Sequence, residues 1–319
     1  MLAPHIDRYI QIKRAGGRKF LCEVRELQLF DRFVDERRIR SLRVITARHI
    51  DAYLASRPRT RPRSYNHLLG AVRRLFRWLV IQGELGRSPV CQRPRRDTSR
   101  RIPFIFAPED ARRLLACADT LPTKGGTLLR GPTYRTMFAV LYALGLRVGE
   151  ACRLQCKDVD RQRQLLIVRD TKFGKSRLVP FGPNVGALLA EYLERRFPGE
   201  SMPRSDAPVF SLRGKRSLNP CTVSQTFHAM LPKLDLDSRP GVASPRLHDL
   251  RHSCAVRALL RWYRQGEDPS ARLLHLSTFL GHANTESTAV YLTITSELLE
   301  EASRRFERYA QAPIEVHKR

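Results

Sequence analysis

A mainly α-helical fold with one small β element, arranged as a two-lobed clamp, is predicted by three observations. Apolar residues recur at three- and four-residue spacing through nearly every segment. One stretch, QLLIVRDTKFGKSRLVPF (164–181), instead alternates in the β manner on both sides of a glycine-containing turn. A third stretch, CQRPRRDTSRRIPF (91–104), has no apolar period and carries five arginines before Ile102. It reads as a basic linker between two helical halves. The expected domains are residues 1–92, a basic helical module; 93–103, the linker; and 104–319, an α+β domain with a C-terminal helix.

Residues 5–40 read mostly as helix, with Leu27, Phe30 and Val34 at the required spacing. ITARHIDAYLAS predicts a short helix with Thr46 as its cap. The strongest helix of the first half is 63–85. There Leu68, Val72, Leu75 and Leu79 make an apolar stripe, and Arg73, Arg74 and Arg77 lie to its side. GRSPV ends it.

In the second half, FAPEDARRLLACAD predicts a helix opened by Pro108 and acidic residues, which suit the positive pole of a helix. TYRTMFAVLYALGLRVGEACRLQCKDVD predicts an apolar helix, a break at Gly145 and a second helix. After the hairpin, helices are expected over 183–197, 220–231, 245–265, 270–281, 284–292 and 296–311. The last is amphipathic, with Leu298, Leu299, Ala302 and Phe306 taken as one face.

Composition narrows the class. Hydrophobic residues make up 42% and charged residues 28%, which is globular rather than disordered. Lys and Arg total 58 against 31 Asp and Glu, a formal charge of +27. Such an excess calls for a polyanion, and double-stranded DNA is the expected partner. The charge is uneven: residues 1–101 hold 25 basic and 9 acidic side chains, or +16 in under a third of the chain. Seven cysteines without a CxxC pair suggest reduced thiols in the cytoplasm rather than a disulfide framework. Cys152 and Cys156 stand four apart on an expected helix, but no second pair follows at zinc spacing. No signal-like start and no membrane-length apolar run is found.

Four short signals in the second half carry candidate chemistry. ALGLRVGEACRL supplies Arg147, DTKFGKSRLVP supplies Lys172, RLHDLRHSC supplies His248 and Arg251, and LGHANTESTAVYL supplies His282 and Tyr291. A phosphodiester resists attack because it is anionic and its transition state spreads more charge over oxygen. Two guanidinium groups can hold those oxygens with paired donors. A tyrosine hydroxyl, pKa near 10, becomes a nucleophile once its proton has a destination. A Lys or His can protonate the departing sugar oxygen. A covalent intermediate then conserves bond energy for rejoining without ATP. Singly, each residue has a plainer reading: a capping arginine, a solvated lysine, a helix-capping histidine, a core tyrosine.

In combination, the arginine of GLRVGEACRL, a lysine in a β-turn, HDLRH, LGH and a tyrosine nine residues on resemble the tyrosine recombinases of the phage integrase type, over about 104–310. The basic helical module resembles their core-binding domain. The resemblance implies that Arg147 and Arg251 clamp the scissile phosphate and that Lys172 protonates the leaving 5′ oxygen. His248 is acid or base toward the nucleophile, and His282 hydrogen-bonds the phosphate. Tyr291 forms the 3′-phosphotyrosyl bond. Glu150 orients Arg147. No cofactor and no metal is implied. Cleavage and rejoining would occur in a homo-oligomer, a synaptic tetramer joined through the C-terminal helix, unless that helix packs on its own domain. Accessory DNA-bending or directionality proteins fit the same scheme, as does cytoplasmic action on a mobile genetic element. The sequence departs from the family twice. Lys172 is followed by Phe173 before Gly174, which leaves Lys175 as the alternative, and the 31-residue interval from Arg251 to His282 is long. Two other readings stay open, a type IB topoisomerase-like enzyme and a non-catalytic DNA-binding or architectural protein.

Overall fold

The structure, a computed structural model, describes residues 1–17, 20–97, 101–123, 127, 129–169, 176–199, 205–214, 216–237, 241–282, 284–293 and 296–311. It divides into two units, Met1–Arg100 and Arg101–Arg319.

The first unit consists of α1 (Ala3–Ala15), α2 (Leu21–Glu36), α3 (Ala47–Ala55) and α4 (Pro62–Ile81). Pro62 begins α4 where a missing N–H costs nothing. Thr46 caps α3, and its own N–H donates to His49 Nδ1 at 3.1 Å, so a histidine fills the usual Glu place of a capping box. The expected stripe of Leu68, Val72, Leu75 and Leu79 is buried to the last percent. Phe30 meets Tyr53 and Phe76 edge to face, with ring centroids 4.9 and 5.9 Å apart. The basic stretch after α4 does not leave this unit at once. Asn66 exchanges two 2.7 Å hydrogen bonds with the Arg95 backbone, and the Arg95 guanidinium lies 4.0 Å over the Tyr65 ring.

The second unit begins with α5 (Pro108–Asp119), α6 (Arg130–Leu144) and α7 (Val148–Arg153). A three-stranded antiparallel sheet follows: β1 (Val159–Asp160), β2 (Leu165–Val168) and β3 (Arg177–Pro180), in that spatial order. Next come α8 (Pro183–Arg196), α9 (Pro220–Met230), α10 (Asp249–Arg264), α11 (Pro269–Leu280), α12 (Glu286–Ala289), a 3₁₀ turn at Val290–Thr293 and α13 (Ser296–Gln311). The hairpin expected from alternation forms with Leu166 opposite Val179 and Val168 opposite Arg177. Leu166, Val168 and Val179 are buried while Leu178, on the other face, is 59% exposed. The connecting residues 170–175, with both candidate lysines, lie outside the described residues.

α6 is apolar on every side and sits against α5, α8 and α10, as a central helix must. Gly145 ends it in the left-handed region (φ 60°). Cys152 and Cys156 do not share a helix: α7 stops at Arg153, Cys152 is buried, and Cys156 opens a 3₁₀ turn. The long interval between Arg251 and His282 is used by a full-length α10 and a separately capped α11, whose N-cap Asp268 accepts from Ser270 N–H. In α13 the four apolar residues do not act as one face. Leu298 is fully buried in a cluster with α10, while Leu299 and Phe306 are 52% and 70% exposed. Among the described residues no helix is long and apolar enough to cross a membrane.

The core fixes these helices. Phe138 is fully buried between Tyr134 and Phe227, with centroids 5.7 and 5.9 Å away. Phe138→Ala should cost about 3–5 kcal/mol through lost burial and the cavity left behind. A urea titration of the full chain should show the midpoint fall, and an unmoved midpoint would contradict this packing.

Candidate active site

Three arginines distant in sequence converge on the last turn of α11. A helix C-terminus leaves its final carbonyls without intrahelical partners and carries partial negative charge. Here Arg177 Nε donates to Phe279 O at 2.9 Å. Arg251 Nη2 donates to Leu280 O at 2.7 Å, and Arg147 Nη2 to Gly281 O at 3.0 Å. Gly281 turns the chain away at φ 70°, and a Cβ there would stand 2.7 Å from Arg177 Nη1. The glycine of LGH is therefore required twice, by its backbone angle and by the guanidinium beside it.

Each arginine is delivered by a different local device. Arg147 is the N-cap of α7. Glu150, in the first turn, accepts from Arg147 N–H at 3.0 Å and from Arg147 Nη1 at 2.7 Å. Arg251 lies in the first turn of α10, is 1% exposed, and also donates to Gly145 O at 2.6 Å, so the break after α6 presents a carbonyl to it. Arg177 occupies the inward register of β3. It grips both oxygens of Glu150, at 3.1 and 2.8 Å, in a two-pronged pair. Arg177 thereby uses Nε and both terminal nitrogens on protein groups. Arg251 donates to two backbone carbonyls and stands beside the Tyr291 hydroxyl, with N–H donors left over.

Glu150 is buried at 3% exposure. Burial alone would raise its pKa. The guanidiniums of Arg177 and Arg147 overcome that and hold it down at about 2. Burial, then the neighbouring Arg147, pushes Arg251 down to about 10, so it stays charged at neutral pH.

Three histidines ring the same point. His248 immediately precedes α10, His252 lies in its first turn, and His282 follows Gly281. Crowding by protein and then by positive neighbours pushes each down to about 4: Arg251 and Arg147 for His248 and His282, His248 and Arg251 for His252. His248 keeps an exposed edge. A 2.7 Å hydrogen bond between His282 Nδ1 and the buried Thr288 hydroxyl fixes the His282 ring.

Tyr291 sits in the 3₁₀ turn and is 3% exposed. Its ring belongs to an apolar cluster with Ala255, Leu259, Leu276, Leu280 and Leu298. Its hydroxyl points the other way, 2.8 Å from His252 Nδ1 and beside the Arg251 guanidinium. Burial raises its pKa, and Arg251 offsets part of the rise. It is thus a core aromatic and a chemically placed hydroxyl at once.

Of the residues expected from sequence, Arg147, His248, Arg251, His282 and Tyr291 are brought together, with Glu150 between Arg147 and Arg177. Lys172 and its alternative Lys175 lie outside the described residues. Sequence reasoning missed Arg177 and His252. A cationic side chain at an inward strand position and the second histidine of HDLRH were the available signals. Among the described residues no cluster of His, Cys, Asp or Glu suits a metal ion.

Residues 106–297 match the family model described as the phage integrase family, and residues 24–83 match that of the phage integrase N-terminal SAM-like domain. A putative integrase/recombinase of Sinorhizobium fredii is 34% identical over 95% of this chain and 96% of its own. The tyrosine recombinase XerD of Listeria innocua is 28% identical over 77% of this chain and 76% of its own. The fold is similar to that of the Tn1549 transposon integrase in complex with transposon right end DNA, at TM-score 0.65, 16% identity and coverage of 96% and 99%. It is also similar to a lambda integrase tetramer bound to a Holliday junction, at TM-score 0.60, 20% identity and coverage of 89% and 78%.

Glu150 is the counter-charge of the cluster, and its ionisation is tied to folding. With its pKa lowered from 4.5 to about 2, the stability it contributes is fully present above about pH 4.5. It is lost as pH falls through about 2, and is on the order of 3 kcal/mol. The stability gap between wild type and Glu150→Gln should therefore shrink as pH falls from 5 to 2 in urea titrations. A gap that is constant over that range would contradict the assignment.

Proposed function

The chain belongs to the phage integrase family and is a site-specific DNA recombinase or integrase, and on that premise we propose that Tyr291 is the nucleophile of its strand cleavage. The observation carrying this reading is the Tyr291 hydroxyl beside Arg251, in a pocket where Arg251 and Arg147 are anchored on adjacent carbonyls. Fixed guanidiniums with unused donors suit the non-bridging oxygens of a phosphodiester, and preorganised donors stabilise the transition state without reorganising. In this reading Arg147 and Arg251 hold the scissile phosphate and His282 hydrogen-bonds it. The family resemblance gives His248 the acid–base role toward the nucleophile. Attack by Tyr291 gives a 3′-phosphotyrosyl bond, and Lys172 protonates the leaving 5′ oxygen. The Lys172 role rests on the family resemblance alone.

The reading divides the labour along the chain. Residues 1–92 grip double-stranded DNA, 93–103 run along it, and 104–319 carry the chemistry. The concentration of positive charge in the first hundred residues supports the first two assignments. Strand exchange takes place in a tetramer on paired sites in the cytoplasm. The exposed Leu299 and Phe306 of α13 support docking of that helix on a neighbouring copy.

On a nicked DNA substrate that loses its flanking strand on cleavage, the wild-type chain should accumulate a covalent protein–DNA adduct. Tyr291→Phe should bind the same DNA and give none. Arg147→Ala should slow adduct formation by roughly 10²–10³-fold, the size of a lost transition-state donor. Denaturing gels read all three, and an adduct from the Phe variant sinks the assignment. With two marked sites, exchanged products identify a recombinase, while plasmid relaxation alone favours the topoisomerase-like reading.

A further inference from the structure

The histidine that touches the nucleophile is not the one the family motif singles out. His252 Nδ1 lies 2.8 Å from Tyr291 Oη. Its other ring nitrogen, Nε2, faces Asp249 Oδ1 at 4.0 Å. Asp249 is 2% exposed and held in place by its second oxygen, which accepts from Arg246 N–H at 2.8 Å and Arg101 Nη2 at 3.1 Å. Carboxylate, imidazole and hydroxyl thus stand in line along one turn of α10 and out to the 3₁₀ turn. Logic of this kind activates a hydroxyl nucleophile on unrelated folds: the acid fixes the tautomer, and the imidazole faces the hydroxyl with its bare nitrogen.

We propose that Asp249, His252 and Tyr291 form a relay in which His252 Nδ1 takes the phenol proton as Tyr291 Oη attacks phosphorus, resting on the reading of Tyr291 as nucleophile. The Oη–P bond forms as the P–O5′ bond breaks. The departing electron pair stays on the 5′ oxygen, which takes its proton from the leaving-group acid. On rejoining, the 5′ hydroxyl attacks phosphorus and gives its proton back to the leaving-group acid, the Oη–P bond breaks, and His252 returns its proton to the phenolate. No other reactant is needed.

The surroundings fit an acceptor. His252 faces His248, Asp249 and Arg251 on α10, His282 after α11, and Tyr291 on the 3₁₀ turn. Burial, and then the neighbouring His248 and Arg251, keep the free imidazole neutral at physiological pH, the form that accepts a proton. At 4.0 Å the Asp249 contact is a charge pairing rather than a hydrogen bond, and such distances tighten when the substrate arrives.

The test uses DNA carrying a 5′-bridging phosphorothiolate at the scissile bond. A thiolate leaves without protonation, so leaving-group acid chemistry no longer limits the rate, while nucleophile activation still does. His252→Asn places an amide oxygen near the Nδ1 position. It can still accept the tyrosine hydrogen bond but cannot carry the proton. The full-length variant should form adduct on the order of 10²–10⁴-fold more slowly on both oxygen- and sulfur-bridged DNA. Its rate should climb tenfold per pH unit as solvent hydroxide replaces the imidazole. His252→Gln, with its amide on a longer stem, should behave the same, and it decides the question if the Asn variant fails to bind DNA. Wild-type rates with either binding-competent variant, or a defect that disappears on the sulfur substrate, overturn the relay. An adduct from Tyr291→Phe on the same substrate overturns the underlying reading instead, so the two failures are distinct.

Discussion

The second unit depends on one constraint: the carbonyls of Phe279, Leu280 and Gly281 must each be satisfied, and each is satisfied by a different arginine. A buried helix end without partners is costly, and a guanidinium is costly to bury without acceptors. Joining the two problems solves both. It also ties β3, α10 and the start of α7 to one point in space, although the arginines are spread from Arg147 to Arg251 in sequence. The clamp is positioned by backbone, which moves less than side chains do. Loss of any of these arginines leaves an unpaired carbonyl as well as a missing charge.

Charge balance explains the rest of the site. Arg147, Arg177 and Arg251 surround Glu150, the carboxylate that binds two of them directly. Arg177 is consumed by that pairing, so it neutralises and orients rather than reaching outward. Arg147 and Arg251 keep donors to spare. Burial first, and then the surplus positive charge, holds three histidines far below their ordinary range. In the proposed reading a phosphodiester supplies the anion that balances this surplus.

Much of this was legible in the sequence, because apolar spacing and the hairpin's alternation are local. The stripe of α4, the break at Gly145 and the pairing of β2 with β3 follow from such patterns. Arg147, His248, Arg251, His282 and Tyr291 were found from motif order, which carries no distances. What escaped was three-dimensional. Arg177 reads as a solvated strand charge until its register places it opposite Val168, facing inward. His252 is indistinguishable from a helix-surface histidine until the 3₁₀ turn brings Tyr291 to it. The tail's apolar residues looked like one face, but α10 takes only Leu298 and leaves Leu299 and Phe306 to solvent. Periodicity can say that residues share a stripe; it cannot say how wide a stripe the neighbouring helix will cover.

The resting state of the pocket follows from the same electrostatics. Burial keeps the Tyr291 phenol protonated, and the histidines are neutral but weakly basic because burial and then neighbouring cations disfavour their charged form. The Tyr291 hydroxyl and its neighbours are therefore placed but poorly matched. In the proposed reading an anionic phosphate between Arg147 and Arg251 offsets part of this positive field. It raises the histidine pKa values toward the working pH, making imidazole a better proton acceptor where the phenol must ionise. The arginines draw charge from the phosphate oxygens in the same step and ease attack at phosphorus. DNA binding thus supplies the missing term in the pocket's charge balance, and the apolar cluster around the Tyr291 ring keeps its oxygen aimed while that term is absent.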